Sequence, residues 1–170
     1  MLKKINFIFL IISIFFLNSC AFLGGRLYND DRKKADARLE QIIEIINNKN
    51  KEALKNIFSE QALEEAIDLD ERIDYIFDFI NGEITSWESI ARGSTTNYNR
   101  GEKIINSGAR YYINANEQKY FVYLCEYFVN TTNPEKVGVY LLQIIEAENE
   151  EERYNGDPRN EWFGIYKPEE

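Results

Sequence analysis

The chain of 170 residues contains no histidine. That absence excludes Ser-His-Asp and Cys-His activation of a nucleophile. It also excludes every histidine-ligated metal site. Basic charge is short as well: 20 Lys and Arg face 29 Asp and Glu, for a net charge of −9. Nucleic-acid partners require basic patches, so none is expected. Nor is there electrostatic attraction to an anionic bilayer. Cysteine occurs only twice, at Cys20 and Cys125.

What is present begins with a leader. Lys3 and Lys4 head an apolar run from Ile5 to Phe16, broken only by Asn6 and Ser13. A transmembrane helix needs roughly 20 apolar residues, so this run is too short to span. A charged start, a short apolar core and a small-residue boundary read as a secretory signal. The next residues are Leu17-Asn18-Ser19-Cys20. They resemble the lipobox of bacterial lipoprotein signal peptides. The resemblance implies cleavage between Ser19 and Cys20 and a diacylglyceryl thioether on Cys20. Two acyl chains give stable anchoring where one gives only reversible binding. The expected location is the extracytoplasmic face of the cell membrane, with the bilayer a partner through acylated Cys20.

The expected organisation is a signal peptide over 1–19, a lipidated tether over 20–30 and one domain over 31–170. Loss of Lys3 and Lys4 with the leader moves the charge from −9 to about −11. A domain of this size buries roughly 68–70% of its unfolded-chain surface. With Cys20 lipidated, Cys125 has no disulfide partner, and the core must hold the fold alone. The nine residues from Ala21 to Asn29 reach at most roughly 30 Å, which keeps the domain near the membrane.

Helical spacing dominates the first half. Ala35, Leu39, Ile42, Ile43 and Ile46 form one stripe of a helix over 31–47. Asn50 caps a short helix over 51–58 that buries Ala53, Leu54, Ile57 and Phe58. Ser59 caps a further turn carrying Ala62, Leu63, Ala66 and Ile67. Asp70 caps a helix over 71–80, ended by left-handed Gly82.

After Gly82 the spacing becomes that of strands. The expected strands cover 83–91, 103–114, 119–129 and 136–147, with a last short one at 162–166. Residues 92–101 read as a polar loop, 114–118 as a hairpin turn, and 155–158 as a turn. Helices followed by an antiparallel meander give an α+β fold, with the helices on one face of the sheet. Continuous apolarity in the third and fourth strands predicts a sheet that is covered on both faces or curled.

Several segments resemble an uncharacterised family of Firmicutes lipoproteins, domain of unknown function 5104. They are Lys34 to Ile46, Asn50 to Ser59, Asp74 to Phe79, Trp87-Glu88, Lys119-Tyr120, Asn133-Pro134, Val137-Gly138, and Gly164 to Tyr166 with Pro168 to Glu170. The resemblance covers the whole mature chain and implies no activity and no functional residue. The helix over Lys51 to Ser59 ahead of a curled sheet also resembles the NTF2-like (cystatin-like) superfamily. That resemblance implies a cone with a central pocket, in a fold that serves enzymes and binding modules alike.

Glu126 stands in an otherwise apolar strand, sharing a face with Tyr120, Val122, Leu124 and Phe128. In a cavity it would serve as a general acid or base; at an edge it would be solvated or paired with Lys or Arg. Trp87, Tyr111, Tyr123 and Tyr127 join it as candidate pocket residues, with Tyr112, Tyr140 and Trp162 adding to an aromatic sheet. Ordinary core packing explains the same aromatics. Cys125 reads as a small buried hydrophobe. Asp70, Asp74 and Asp78 read as a solvated helix face, and 148–152 as a solvated acidic run. No metal and no cofactor is expected. The favoured function is a membrane-anchored, non-catalytic domain that binds a small molecule or a protein. The alternative is a lyase- or isomerase-type pocket enzyme using Glu126 with tyrosine hydroxyls.

Overall fold

The computed structural model describes residues 30–153 and 164–166. The expected leader, Ser19, Cys20 and the tether therefore lie outside the described residues, as do the 155–158 turn and Trp162. Among the described residues no helix is long and apolar enough to cross a membrane.

Helix α1 covers 30–47 and buries Ala35, Leu39, Ile42 and Ile46, as the spacing predicts. Its last residue, Asn47, holds the start of the sheet. The Asn47 side chain donates to the Ile84 carbonyl (3.0 Å) and accepts from the Ile84 amide (2.9 Å). Helix α2, Lys51–Ile57, is capped by Asn50, whose side chain accepts from the Ala53 amide. Helix α3, Glu60–Glu65, is capped by Ser59, which accepts from the Ala62 amide. Each such cap satisfies a backbone donor at the helix start and is worth about 1 kcal/mol. Leu63 and Ile67 face solvent, at 41% and 74% exposure.

Helix α4 spans Leu69–Phe79, so it starts before Asp70. The cap position is Asp68, in the left-handed region at φ 57° and without a side-chain cap bond. Asp70 is instead a first-turn residue paired with Lys55 at 2.7 Å, and Asp74 pairs with Lys51 at 2.6 Å. Two lysines of α2 thus offset the like charges of α4 across an exposed face. Gly82 has the expected positive φ, 96°.

The sheet runs β1 (Ile84–Asn99), β2 (Glu102–Ala115), β3 (Gln118–Asn130), β4 (Gly138–Glu146) and β5 (Gly164–Tyr166), in that spatial order. The first four are antiparallel, as expected. Residues 92–99, read above as loop, are strand. They pair with β2 through to Asn99↔Glu102. The reversal is a two-residue turn, Arg100-Gly101, with φ of 50° and 90°. Positive φ at both positions matches the right-handed twist of a hairpin. Polar Ser, Thr and Asn are tolerated there because this stretch is a largely exposed edge. The second hairpin turns on Asn116-Glu117, inside the expected span. The fourth strand starts at Gly138, after a 3₁₀ turn at Pro134–Lys136.

β5 is parallel to β4, with Leu141↔Gly164 and Leu142↔Ile165. A parallel neighbour requires a crossover. That crossover opens with a 3₁₀ turn at Ala147–Asn149 and helix α5, Glu150–Arg153. Tyr112 donates to Glu150 at 2.6 Å, so the expected solvated acidic run in part packs on the outer face of the sheet. Helices α1 to α4 cover the inner face. Coverage on both sides explains the apolar third and fourth strands: Val122, Leu124, Leu142 and Ile144 join the helix-side core, while Phe121 and Ile145 are buried opposite them.

The helix layer meets the sheet closely at one point. Ser59 donates its amide to Val139 O at 2.7 Å, and Phe58 bridges Val139 in parallel. Gly138 makes this contact possible. Its φ is 126°, and an added Cβ would lie 2.9 Å from Ser59 N. Gly138→Ala should therefore lower unfolding stability in urea by about 1–3 kcal/mol from backbone strain, with the clash in addition. Gly93→Ala, whose methyl meets only Gly108 O at 3.7 Å, should change it by less than about 0.5 kcal/mol.

Candidate functional site

The buried stripe of α1 is apolar, but its flanks carry charge toward the sheet. Asp31, only 8% exposed, accepts from Ser94 Oγ (2.8 Å) and Lys34 Nζ (3.3 Å). Asp36 forms an ion pair with Arg92 and accepts from the Tyr111 hydroxyl at 3.1 Å. Arg38 donates through Nε (2.9 Å) and Nη2 (2.6 Å) to one oxygen of Glu126. Three residues within about two turns of one helix thereby reach β1, β2 and β3. Lys34 also lies over the Phe128 ring at 5.3 Å.

Glu126 is 4% exposed and ion-paired with Arg38 through one of its oxygens. Tyr111 is completely buried, with Trp87 edge-on at 5.7 Å. Burial raises the Tyr111 hydroxyl above its ordinary pKa, and the Asp36 carboxylate beside it adds to the rise. The tyrosine thus stays neutral and donates to Asp36. A general acid or base must reach a substrate proton. Here the carboxylate faces a guanidinium and the hydroxyl faces a carboxylate. The clefts found among the described residues, of about 380 to 810 Å³, are not lined by Glu126, Trp87 or Tyr111. The seam is a strut between helix and sheet.

The candidate pocket residues do not share one site. Trp87, Tyr111 and Glu126 belong to the helix side. Tyr123 and Tyr127 alternate to the outer face with Cys125. Across that face Gly93, Gly108, Cys125 and Leu141 lie in register. Tyr123 folds over Gly108, its hydroxyl 3.5 Å from where a Cβ would stand. The hydroxyls of Tyr123 and Tyr140 hydrogen-bond the Cys125 thiol, and Tyr127 packs on Tyr140 at 5.3 Å. Aromatic cover over a strand glycine restores packing that glycine lacks. Burial pushes the Cys125 thiol up to about 11. It is protonated at neutral pH and a poor nucleophile.

The model of a family described as domain of unknown function (DUF5104) matches residues 41–147, well over half of the chain. The chain belongs to the DUF5104 family. No curated protein matches it. The DUF5104 span is shorter than the resemblance noted above. It opens within α1 and ends just past β4, leaving β5 and the last quoted residues outside. Arg92, Tyr111 and Glu126 fall within the DUF5104 span, whereas their helix partners Asp36 and Arg38 precede it.

Sequence reading misses Asp36, Arg38 and Arg92 because their partners are far away in the chain, 88 residues in the case of Arg38 and Glu126. The available signal is a charged residue beside a buried stripe facing a lone strand carboxylate. Truncating one member of a buried pair strands the other charge, whereas replacing both by apolar groups is often neutral. Glu126→Ala should thus cost about 3 kcal/mol in urea unfolding, and the Arg38→Met/Glu126→Leu double variant should fall within about 1 kcal/mol of the parent.

The thiol gives a pH test. Its folded pKa, about 11, lies above the value of 9.0 for an unperturbed thiol. The unfolded chain therefore loses this proton first, and stability falls as pH rises from about 9 to about 11. Cys125→Ala should remove that share of the alkaline decline, read as a smaller shift in urea midpoint between about pH 8 and pH 10.5.

Proposed function

We propose that the chain is a bacterial lipoprotein of the Firmicutes type, whose NTF2-like domain works as a non-catalytic binding module at the outer side of the cell membrane. The observation that carries the non-catalytic part is the Arg38–Glu126 pair. The one buried strand carboxylate among the described residues is held by a guanidinium, and none of the clefts described above is lined by it. The NTF2-like reading draws support from helices that precede a four-strand antiparallel meander with cover on both faces. The anchoring part rests on Lys3, Lys4, the apolar run to Phe16 and Leu17 to Cys20.

The acidity of the chain adds a physical reason for an anchor. A leader-free domain with a net charge of about −11 is repelled by anionic lipid, so only acyl chains would hold it there. Binding would then take place on the surface directed away from the seam of α1.

Anchoring is tested by Cys20→Ala in the bacterial host. The parent should partition with membranes and run as a lipid-modified, leader-free species. The variant should keep its leader and lose the added lipid mass. Unchanged mass and partition in the variant would overturn lipidation.

A further inference from the structure

The charged side chains that α1 sends to the inner face are paired there. On the outer face, beyond the end of β4, some polar side chains have no partner among the described residues. β1 and β2 continue to Asn99↔Glu102, whereas β4 begins at Gly138, opposite Tyr127. The overshoot leaves a groove of about 380 Å³ between the hairpin and the loop after β3. This lies within the roughly 300–1,000 Å³ typical of ligand clefts.

The lining is unusual for so acidic a chain. Thr95, Asn97, Asn106, Asn130 and Tyr127 contribute amides, a hydroxyl and a ring; the sole charge among the lining residues is Lys136. No carboxylate takes part. Asn130 is 6% exposed, and its orientation is fixed. Its Oδ1 accepts from Thr132 N (3.2 Å), Thr132 Oγ1 (2.7 Å) and Asn133 N (2.9 Å). Backbone donors identify the oxygen end, so the amide nitrogen is the end left over. That NH₂ has no acceptor among the described residues. It therefore stands at the groove with its donors open to water or to a ligand. The side chains of Asn97 and Asn106 likewise make no hydrogen bond to the described residues. Tyr127 rests against Tyr140 and borders the groove.

We propose that this groove binds a neutral glycan. The Asn97 and Asn106 amides each offer donors and an acceptor together, which match the paired donor and acceptor character of neighbouring sugar hydroxyls, and the Asn130 NH₂ adds donors. The Tyr127 ring gives the C–H face of a sugar an apolar platform. A cation would need carboxylates, and an anion would need more than Lys136. An apolar ligand would leave the amides unpaired. This assignment deepens the binding-module reading and rests on it, but it does not depend on the anchor.

The test is nuclear magnetic resonance of the isotope-labelled full-length chain in a zwitterionic, sugar-free detergent. Cellotetraose, maltotetraose and chitotetraose are added in turn, up to about 10 mM, which detects millimolar affinity. At least one saccharide should shift the side-chain amide signals of Asn97, Asn106 and Asn130. Asn106→Ala and Tyr127→Ala, at half-buried positions, should each weaken binding about tenfold. Their unchanged backbone spectra would establish that the fold is intact. Absence of shifts with all three saccharides overturns the assignment. So does binding that neither substitution alters, or a neutral extended peptide that shifts the same amides when no saccharide does. Shifts confined to other residues would sink the groove but leave a binding module. Cleavage of a saccharide during the titration would keep the groove and sink the non-catalytic reading.

Discussion

Seating helix α1 on the sheet is the step on which the rest of the structure depends. A helix with an apolar stripe can slide or roll on a sheet, because hydrophobic burial is non-directional. Hydrogen-bonded charges cannot. Asp31, Asp36 and Arg38 reach three strands, and Asn47 holds both backbone groups of Ile84 at the other end. Together they fix the helix in rotation and in translation. A buried ion pair contributes little net stability but specifies one arrangement over its neighbours. In this chain it does so by occupying Glu126, the one buried strand carboxylate among the described residues.

The same constraint decides what is left for the sheet. With α1 to α4 on one face, β4 has an exposed edge and an exposed outer face, and the chain covers both in one movement. The crossover that starts at Ala147 packs Glu150 onto Tyr112, and β5 then adds to β4 in parallel. Arg72 of α4 donates to Ile165 O at 2.8 Å, which ties that last strand back to the helix layer. At the opposite edge, β1 is guarded by Asn47 at its start and by register shifts at Ile84/Ser86 and Ser89/Ala91. Bulges of this kind discourage edge-to-edge pairing.

Local chemistry made much of this fold legible. The α1 stripe, the Asn50 and Ser59 caps, and the cores of β2 and β3 depend on residues close in sequence, and all are where spacing places them. What was illegible depends on distance. Residues 92–99 carry no apolar alternation, so their strand comes from pairing with β2 and from the Arg100-Gly101 turn. The direction of β5 is set by the crossover and not by its three residues. Asp70 has the chemistry of a cap, but Lys55 engages it and the helix starts earlier. Of the candidate site, Glu126 was legible as an anomaly, and its partnership with Arg38 was among the readings open to it. The identity of that partner was not. The tyrosines were legible as aromatic sheet, but their division between two faces follows from strand alternation together with which face the helices occupy.

The two faces differ in how their polar side chains are used. On the inner face each charged side chain that reaches the sheet has a partner, because an unpaired charge there would carry the full cost of desolvation. Near the mouth of the outer groove, Asn97, Asn106 and the Asn130 NH₂ have none among the described residues, and three donors hold the oxygen of Asn130 in place. Orientation fixed in advance reduces the entropy lost when a ligand docks. The inner seam therefore serves the fold, and the outer groove is where this DUF5104 chain has polar capacity to spare.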